Sequence, residues 1–254
     1  DTGLACYVHP GVAPLQGSAV LDPAGYHAFA TAACSAPPDP QLAARLNWAY
    51  PFLQDTRLPS KVTVSALVGN PPTLERCPAF MLENQPLSPA QRGTATHLLM
   101  EHIPLSPHTA ASVRASLQAL QNQGLLSPAQ AEAVYAPAIA AFFQSDLGQR
   151  LCKAQQVERE LAFSCRLPAQ ALGFAGSQAS VLLQGSIDCC FLEPDGWVLV
   201  DYKTDFVPPG QEQQAAQAHV RQLQLYALAL AEITRKPVKE RYVALLRTGA
   251  AVPV

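Results

Sequence analysis

The chain has 254 residues, enough for one large domain or a medium domain with appendages. Hydrophobic residues make up 49% of it and charged residues 14%, so a sizeable core is within reach and disorder is not the default. A formal net charge of −2 lacks the basic excess of proteins that hold nucleic acid unaided, so any work on DNA calls for a partner or further domain to deliver the strand.

Other global features narrow the class. No run approaches the ~18 apolar residues of a membrane span, and the first residues show no secretory leader pattern. The chain starts at Asp1 rather than Met, which reads as the C-terminal part of something longer. Seven cysteines, at 6, 34, 77, 152, 165, 189 and 190, form no C-x-x-C pair and give no sign of a zinc ribbon or iron–sulfur cluster. Cys189 and Cys190 fall in an apolar strand and should point to opposite faces as reduced packing thiols, and the expected compartment is cytoplasmic.

Residues 1–40 are rich in Ala, Pro and Gly, and Cys34–Pro40 reads as a linker. A short helical pattern runs from Gln41 towards Pro51, and Val62–Ser65 reads as a strand. The main domain is expected over 60–254, with 1–59 as the tail of a preceding region and linker. Ser88, Pro89 and Gln91 give a capping box for a helix running through His97 to about Ile103, before Pro104. Ser106–Gln123 reads as one or two helices stopped at Gly124. Ser127-Pro128 opens another into Tyr135, and Pro137 begins or kinks the helix carrying Phe142 and Phe143. The period then changes. Val157–Leu167, Ser180–Phe191 and Trp197–Lys203 are predicted strands, Gln211–Ala231 one long helix, and Arg241–Leu246 a last strand. Such an order describes an α/β or α+β sandwich on a mixed sheet.

The chemistry concentrates in a strand–turn–strand. Asp188 lies on the first strand, Asp201 and Lys203 on the second, with Pro194-Asp195-Gly196 between them. Asp195-Gly196 is a strong two-residue hairpin signal, which pairs Pro194 with Trp197 and so sets Asp188 opposite Lys203. Residues two apart on a strand share a face, so Asp201 joins them. Two close carboxylates repel and are costly to bury without a cation. A divalent ion relieves that cost. Mg²⁺ takes oxygen ligands, and a nitrogen from His97 also suits Mn²⁺. A metal-bound water can attack a phosphate, while Lys203 orients or deprotonates that water or offsets phosphoryl charge.

Each residue has a plainer reading. An Asp-x-Lys pair is as readily a solvated ion pair, and His97 a packing or capping histidine, also four residues from Glu101 on one helix face. Glu160 reads equally as a solvated strand residue or a site carboxylate, and Gln222 with Tyr226 as an i, i+4 packing pair. Asp188 is harder to dismiss, because an acid among apolar residues needs compensation. Their joint occurrence in one order carries the functional reading.

In that order the segments Arg92–His97, Arg159–Phe163, Gly185–Asp188, Asp201–Asp205 and Gln222–Tyr226 resemble the PD-(D/E)XK nuclease superfamily. Within it they are most similar to the C-terminal nuclease domain of the AddA/RecB helicase-nucleases, on the AddA side, over about residues 60–246. The resemblance implies a restriction-endonuclease-like α/β core, a central mixed sheet flanked by helices, and a mostly helical N-terminal half. It implies metal binding by His97, Asp188, Asp201 and the Tyr202 carbonyl, and catalysis by Lys203. Gln222 and Tyr226 would support the site and the DNA strand, and Glu160 would fill the acidic position before the hairpin. It further implies Mg²⁺ (Mn²⁺ as an alternative), single-stranded DNA from a processed duplex end, an AddB-type second subunit in a heterodimer, and recombinational repair of double-strand breaks. Residues 41–65 look like the helicase–nuclease join of AddA. The sequence departs from the helicase-nucleases in having no G-x-x-x-x-G-K-[ST] loop, so it cannot run an ATP motor by itself, and from AddB in lacking a cysteine-clamped iron–sulfur element. Two alternatives stay open: a stand-alone RecB-like single-strand exonuclease, and a non-cleaving module for DNA guidance or assembly.

Overall fold

The computed structural model describes residues 40–69 and 87–254, and contacts divide them into two bodies that meet in sequence at Leu53 and Gln54. The first body contains helix α1 (Pro40–Leu46), then Trp48, Tyr50 and Phe52 in successive edge-to-face contacts. The predicted linker at Cys34–Pro40 lies outside the described residues, apart from Pro40 itself, which opens α1.

The second body begins with a single 3₁₀ turn and strand β1 (Lys61–Thr63), which gives way to helix α2 (Val64–Leu67). The predicted strand Val62–Ser65 is therefore cut short, because the Thr63 side chain accepts from Ala66 N–H and starts a helix at Val64. Helix α3 (Pro89–His102) carries the expected capping box, with Ser88 Oγ accepting from Gln91 N–H and the Gln91 side chain accepting from Ser88 N–H. Ser106–Gln123 becomes one helix, α4 (Ala110–Asn122), and Gly124 turns the chain away with φ +73°. Helices α5 (Pro128–Ala133) and α6 (Ala136–Gln144) follow, and then α7 (Asp146–Lys153), which the sequence pattern does not announce. Gly148 lets α7 press against α6: a Cβ there would stand 2.1 Å from the Phe142 carbonyl oxygen.

Strands β2 (Gln156–Pro168), β3 (Ser180–Glu193) and β4 (Gly196–Lys203) come next. The predicted long helix is two, α8 (Glu212–Gln217) and α9 (Val220–Thr234), broken at Ala218-His219, where Ala218 is exposed. Strand β5 (Val238–Leu245) and a short unforeseen β6 (Ala250–Pro253) end the chain.

The sheet is mixed: β1 runs parallel to β3 and β4 parallel to β5, the other pairings being antiparallel. β2 covers one edge of β3 along its length. The other edge is shared, β1 pairing at Leu182–Gln184 and β4 at Cys189–Glu193, so β3 changes neighbours across Gly185–Asp188. Helices α3–α7 pack on one face around Leu99, Phe142, Phe143, Phe191 and Tyr202. Helices α2, α8 and α9 pack on the other around Ile187, Trp197, Leu223 and Leu230. Burying both faces of a sheet under helices is the three-layer solution for such a pattern, and Cys189 and Cys190 fall in opposite layers as expected.

Candidate active site

The hairpin loop is Pro194-Asp195, not Asp195-Gly196: Glu193 pairs with Gly196 and Cys189 with Val200. The expected pairing of Asp188 with Lys203 is therefore shifted by two residues, which sets Asp188 at the level of Asp201, just past the last rung. Neighbouring β5 fixes this register. Trp197 N–H donates to the Pro237 carbonyl at 2.8 Å, and Gly196, at φ +142°, lies so close that a Cβ would be 2.5 Å from that oxygen. Gly196 thus serves as a strand residue at a close backbone approach rather than as a turn residue. A shift of two preserves the face.

At the other edge of β3 the β2 ladder is continuous but for one rung. Arg159 pairs with Cys189 and Leu161 with Ile187, while Glu160, between them, has φ +47°. Left-handed backbone at a non-glycine residue costs about 1–2 kcal/mol. Both strands change faces here: Val157, Cys189 and Phe191 pack into one layer, Leu161, Phe163 and Ile187 into the other. The inversion turns the Glu160 and Asp188 carboxylates towards one place, the fork where β3 changes neighbours.

Helix α3 brings the third group. His97 Nδ1 lies 3.3 Å from Glu160 Oε1 and 3.6 Å from Asp188 Oδ1, and His97 Nε2 lies 3.2 Å from the Tyr202 carbonyl oxygen. A carbonyl can only accept, so Nε2 bears the proton and the ring presents Nδ1 to the carboxylates. Ser186 Oγ donates to Glu160 Oε2 at 3.4 Å, and Asp188 Oδ2 accepts the Tyr202 N–H at 2.7 Å. Tyr202 serves the site through its main chain, while its ring is buried edge-on to Phe142 and to His97. His97, Glu160 and Asp188 offer ligand atoms all within 4.8 Å of one another.

Asp201, Lys203, Gln222 and Tyr226 form a second, contiguous group beneath α9. Lys203 Nζ lies 2.7 Å from Asp201 Oδ2, and Asp201 is 1% exposed. Gln222 Nε2 donates to Asp201 Oδ1 at 3.0 Å and lies 3.1 Å from the Tyr226 hydroxyl, while its Oε1 accepts from Lys203 Nζ at 3.4 Å. Asp201 and Lys203 share a face, as their spacing requires.

Protonation follows from burial and charge. Burial, then the Asp201 charge, pushes the Asp188 carboxyl up to about 7. Burial disfavours the His97 imidazolium, but the Glu160 hydrogen bond and the Asp188 charge outweigh it and hold the pKa above the ordinary value. A carboxyl forced towards neutrality beside a proton-holding histidine marks a place that a cation would stabilise.

Arg159 opens one of the five matching segments in the sequence, with no role assigned to it there. Its guanidinium donates to the Met100 and Ile103 carbonyls at 3.2 and 2.7 Å, which ties the C-terminal end of the His97 helix to the strand carrying Glu160. Its membership of the Arg159–Phe163 segment, next to Glu160, is the signal the sequence offers for it.

The profile described as the PD-(D/E)XK nuclease superfamily matches residues 73–252. Among curated proteins, one from Desulforamulus reducens, named as the A component of an ATP-dependent helicase/nuclease, is 38% identical over 229 residues, covering 83% of this chain and 18% of its own. Proteins of the same name from Acetivibrio thermocellus and Geobacillus kaustophilus are 34% and 39% identical, covering 82% and 83% of this chain and 18% and 19% of their own. The chain thus spans about a fifth of the length of the relatives it matches.

Proposed function

The chain belongs to the PD-(D/E)XK nuclease superfamily, and on that premise we propose that it is the nuclease domain of an AddA-type ATP-dependent helicase/nuclease. In this reading, residues 60–254 hydrolyse phosphodiester bonds of a single DNA strand taken from a processed duplex end, in recombinational repair of double-strand breaks. The observation that carries it is the meeting, at one fork of the sheet, of the His97–Glu160–Asp188 triplet with the Asp201–Lys203 ion pair.

The triplet supplies hard oxygen donors and one imidazole nitrogen, which fits a divalent ion, Mg²⁺ first and Mn²⁺ as an alternative. Bound there, such an ion supplies an activated water and neutralises charge on the attacked phosphate. His97 would offer Nδ1 while its Nε2–H stays on the Tyr202 carbonyl, an outer contact of the kind that fixes ring orientation. That contact gives the Tyr202 carbonyl an orienting role beside the ligand role the resemblance implies. Asp188 would offer Oδ1 while Oδ2 holds the Tyr202 N–H. Asp201, from the other group, would complete the metal shell as the resemblance implies, and its carboxylate aims Lys203. Lys203, held by Asp201 and Gln222, stabilises negative charge growing on the phosphoryl oxygens. Tyr226 braces Gln222.

The ATP-driven motor named for the relatives would lie in the length this chain does not span, and an AddB-type partner would complete a heterodimer acting in the cytoplasm. Among the described residues, no helix is long and apolar enough to cross a membrane. The test is cleavage of end-labelled single-stranded DNA with Mg²⁺, with Mn²⁺ and with EDTA, for the wild type, Asp201→Ala and Lys203→Ala. Cleavage that survives EDTA or either substitution overturns the reading.

A further inference from the structure

Two openings flank α3 where it passes the site. One, a space of about 600 Å³, is lined by His97, Glu101, Glu160 and Ser186, and no Lys or Arg among the described residues lines it. The other, about 450 Å³, lies between α3, the α5–α6 joint, the segment after β4 and the turn after β5. Its lining holds Arg92, Tyr135, Asp205, Phe206 and Arg247. Pro89, Arg92 and Thr96 line this side, while Gly93, Thr94, His97 and Glu101 line the other, so one helix divides an arginine-bearing opening from an acidic one.

The arginine side starts at Thr204, the residue after Lys203, and lies at the carboxyl ends of the parallel strands β4 and β5, where open α/β sheets place their ligands. Phe206 is 70% exposed and Tyr135 58%, two large rings left to solvent on one cavity. Arg247 is exposed and has no carboxylate within ion-pair distance among the described residues. Among the described residues the Arg92 guanidinium is tied to the Leu87 carbonyl alone, at 2.9 Å through Nη1. Two guanidinium groups against one carboxylate give the lining a positive balance, although the chain as a whole is negative.

We propose that this cavity is the groove holding the single-stranded DNA segment next to the scissile phosphate, with Arg92 and Arg247 on backbone phosphates and Phe206 and Tyr135 stacked on bases. The proposal rests on the nuclease reading above for the direction in which the strand continues. Charge decides the side: a polyanion is repelled by the carboxylates of the acidic opening, which instead suits entry of a cation. Size decides the form: about 450 Å³ is within the range of small-ligand sites, about 300–1,000 Å³, and encloses part of a strand rather than a duplex. Arginines along a backbone with interleaved rings are the elements of strand binding without sequence preference.

The test is binding of a fluorescent oligothymidylate to this chain in EDTA, by anisotropy across a salt series, where cleavage plays no part. Phe206→Ala and Tyr135→Ala are each expected to weaken binding about 5-fold or more, and Phe206→Trp to retain it. Arg247→Ala is expected to flatten the slope of log affinity against log salt by about 0.7. Leu228→Ala, on the outer face of α9, serves as the control and should bind as the wild type does. Wild-type affinity in all three alanine variants, or no binding by the wild-type chain, overturns the groove. A wild type that binds with these losses yet cleaves nothing in Mg²⁺ upholds the groove and overturns the nuclease reading.

Discussion

Glu160 and Asp188 stand opposite each other at the one missing rung of the β2–β3 ladder, and Glu160 holds a left-handed backbone there. That conformation reverses which face each strand presents and brings both carboxylates to His97. Strain at such a point is held in place by the surrounding pairs.

Glu160→Gly should release that strain. In EDTA its unfolding free energy is expected to rise by about 1 kcal/mol in a urea titration, while Glu160→Gln leaves the strain in place. Both should weaken divalent-ion binding measured by calorimetry. A Glu160→Gly protein less stable than wild type would show that the carboxylate, not the backbone, governs stability here.

The Asp201–Lys203 pair should separate stability from activity. Lys203→Ala leaves Asp201, 1% exposed, without its ammonium partner, so a loss of about 3–5 kcal/mol is expected. Asp201→Asn combined with Lys203→Met should recover much of that loss in denaturant unfolding. Cleavage should stay at least about 100-fold below wild type in both, because stabilising charge on the phosphate needs the ammonium.

Protons and metal should compete at Asp188 and His97. Asp188 titrates near 7 in the folded protein against 3.8 unfolded, so the folded state holds the extra proton and metal-free stability falls as pH rises from about 4 to 7. The raised His97 pKa acts in the same direction, its contribution being complete below 6.5 and lost as pH climbs through the folded value. For Asp188 the loss is on the order of 4 kcal/mol, and Asp188→Asn should remove it from a pH series of urea unfolding. Metal affinity should rise over the same window, with protons released on binding, read by calorimetry in buffers of different ionisation enthalpy.

At the far end of the sheet Arg150 holds Glu193 through its Nε–Nη2 edge, both bonds at 2.9 Å, and Glu240 through its Nη1–Nη2 edge at 2.8 and 3.1 Å, and Lys239 adds to Glu193 at 2.7 Å. The Arg150 hydrogen bonds hold the Glu193 carboxyl down at about 2. Its stabilisation is present above 4.5 and lost as pH falls towards 2. Arg150→Ala should cost about 1–3 kcal/mol near neutrality, flatten the acid limb, and leave metal binding at His97 unchanged. A changed metal affinity would join this network to the site.

Local chemistry was legible from the chain alone. Ser88 and Ser127 mark helix starts because a cap satisfies N–H groups within four residues of itself. Alternation marks Val157–Leu167 and an apolar run marks Trp197–Lys203, and a spacing of two puts Asp201 and Lys203 on one face whatever the rest of the protein does. Long-range contacts decided the remainder. Asp195-Gly196 has the composition of a turn, yet the Pro237 carbonyl just before β5, some forty residues later, draws Gly196 into the ladder. The face reversal at Glu160 has no period to announce it, since alternation holds on both sides and fails at a single residue. His97 reaches that point because Arg159 fastens the end of its helix to β2. The sequence therefore determined which groups can do the chemistry, through short-range periodicity and capping. Only tertiary structure decided which of them meet, because register and strand parity are set by neighbours distant in the chain.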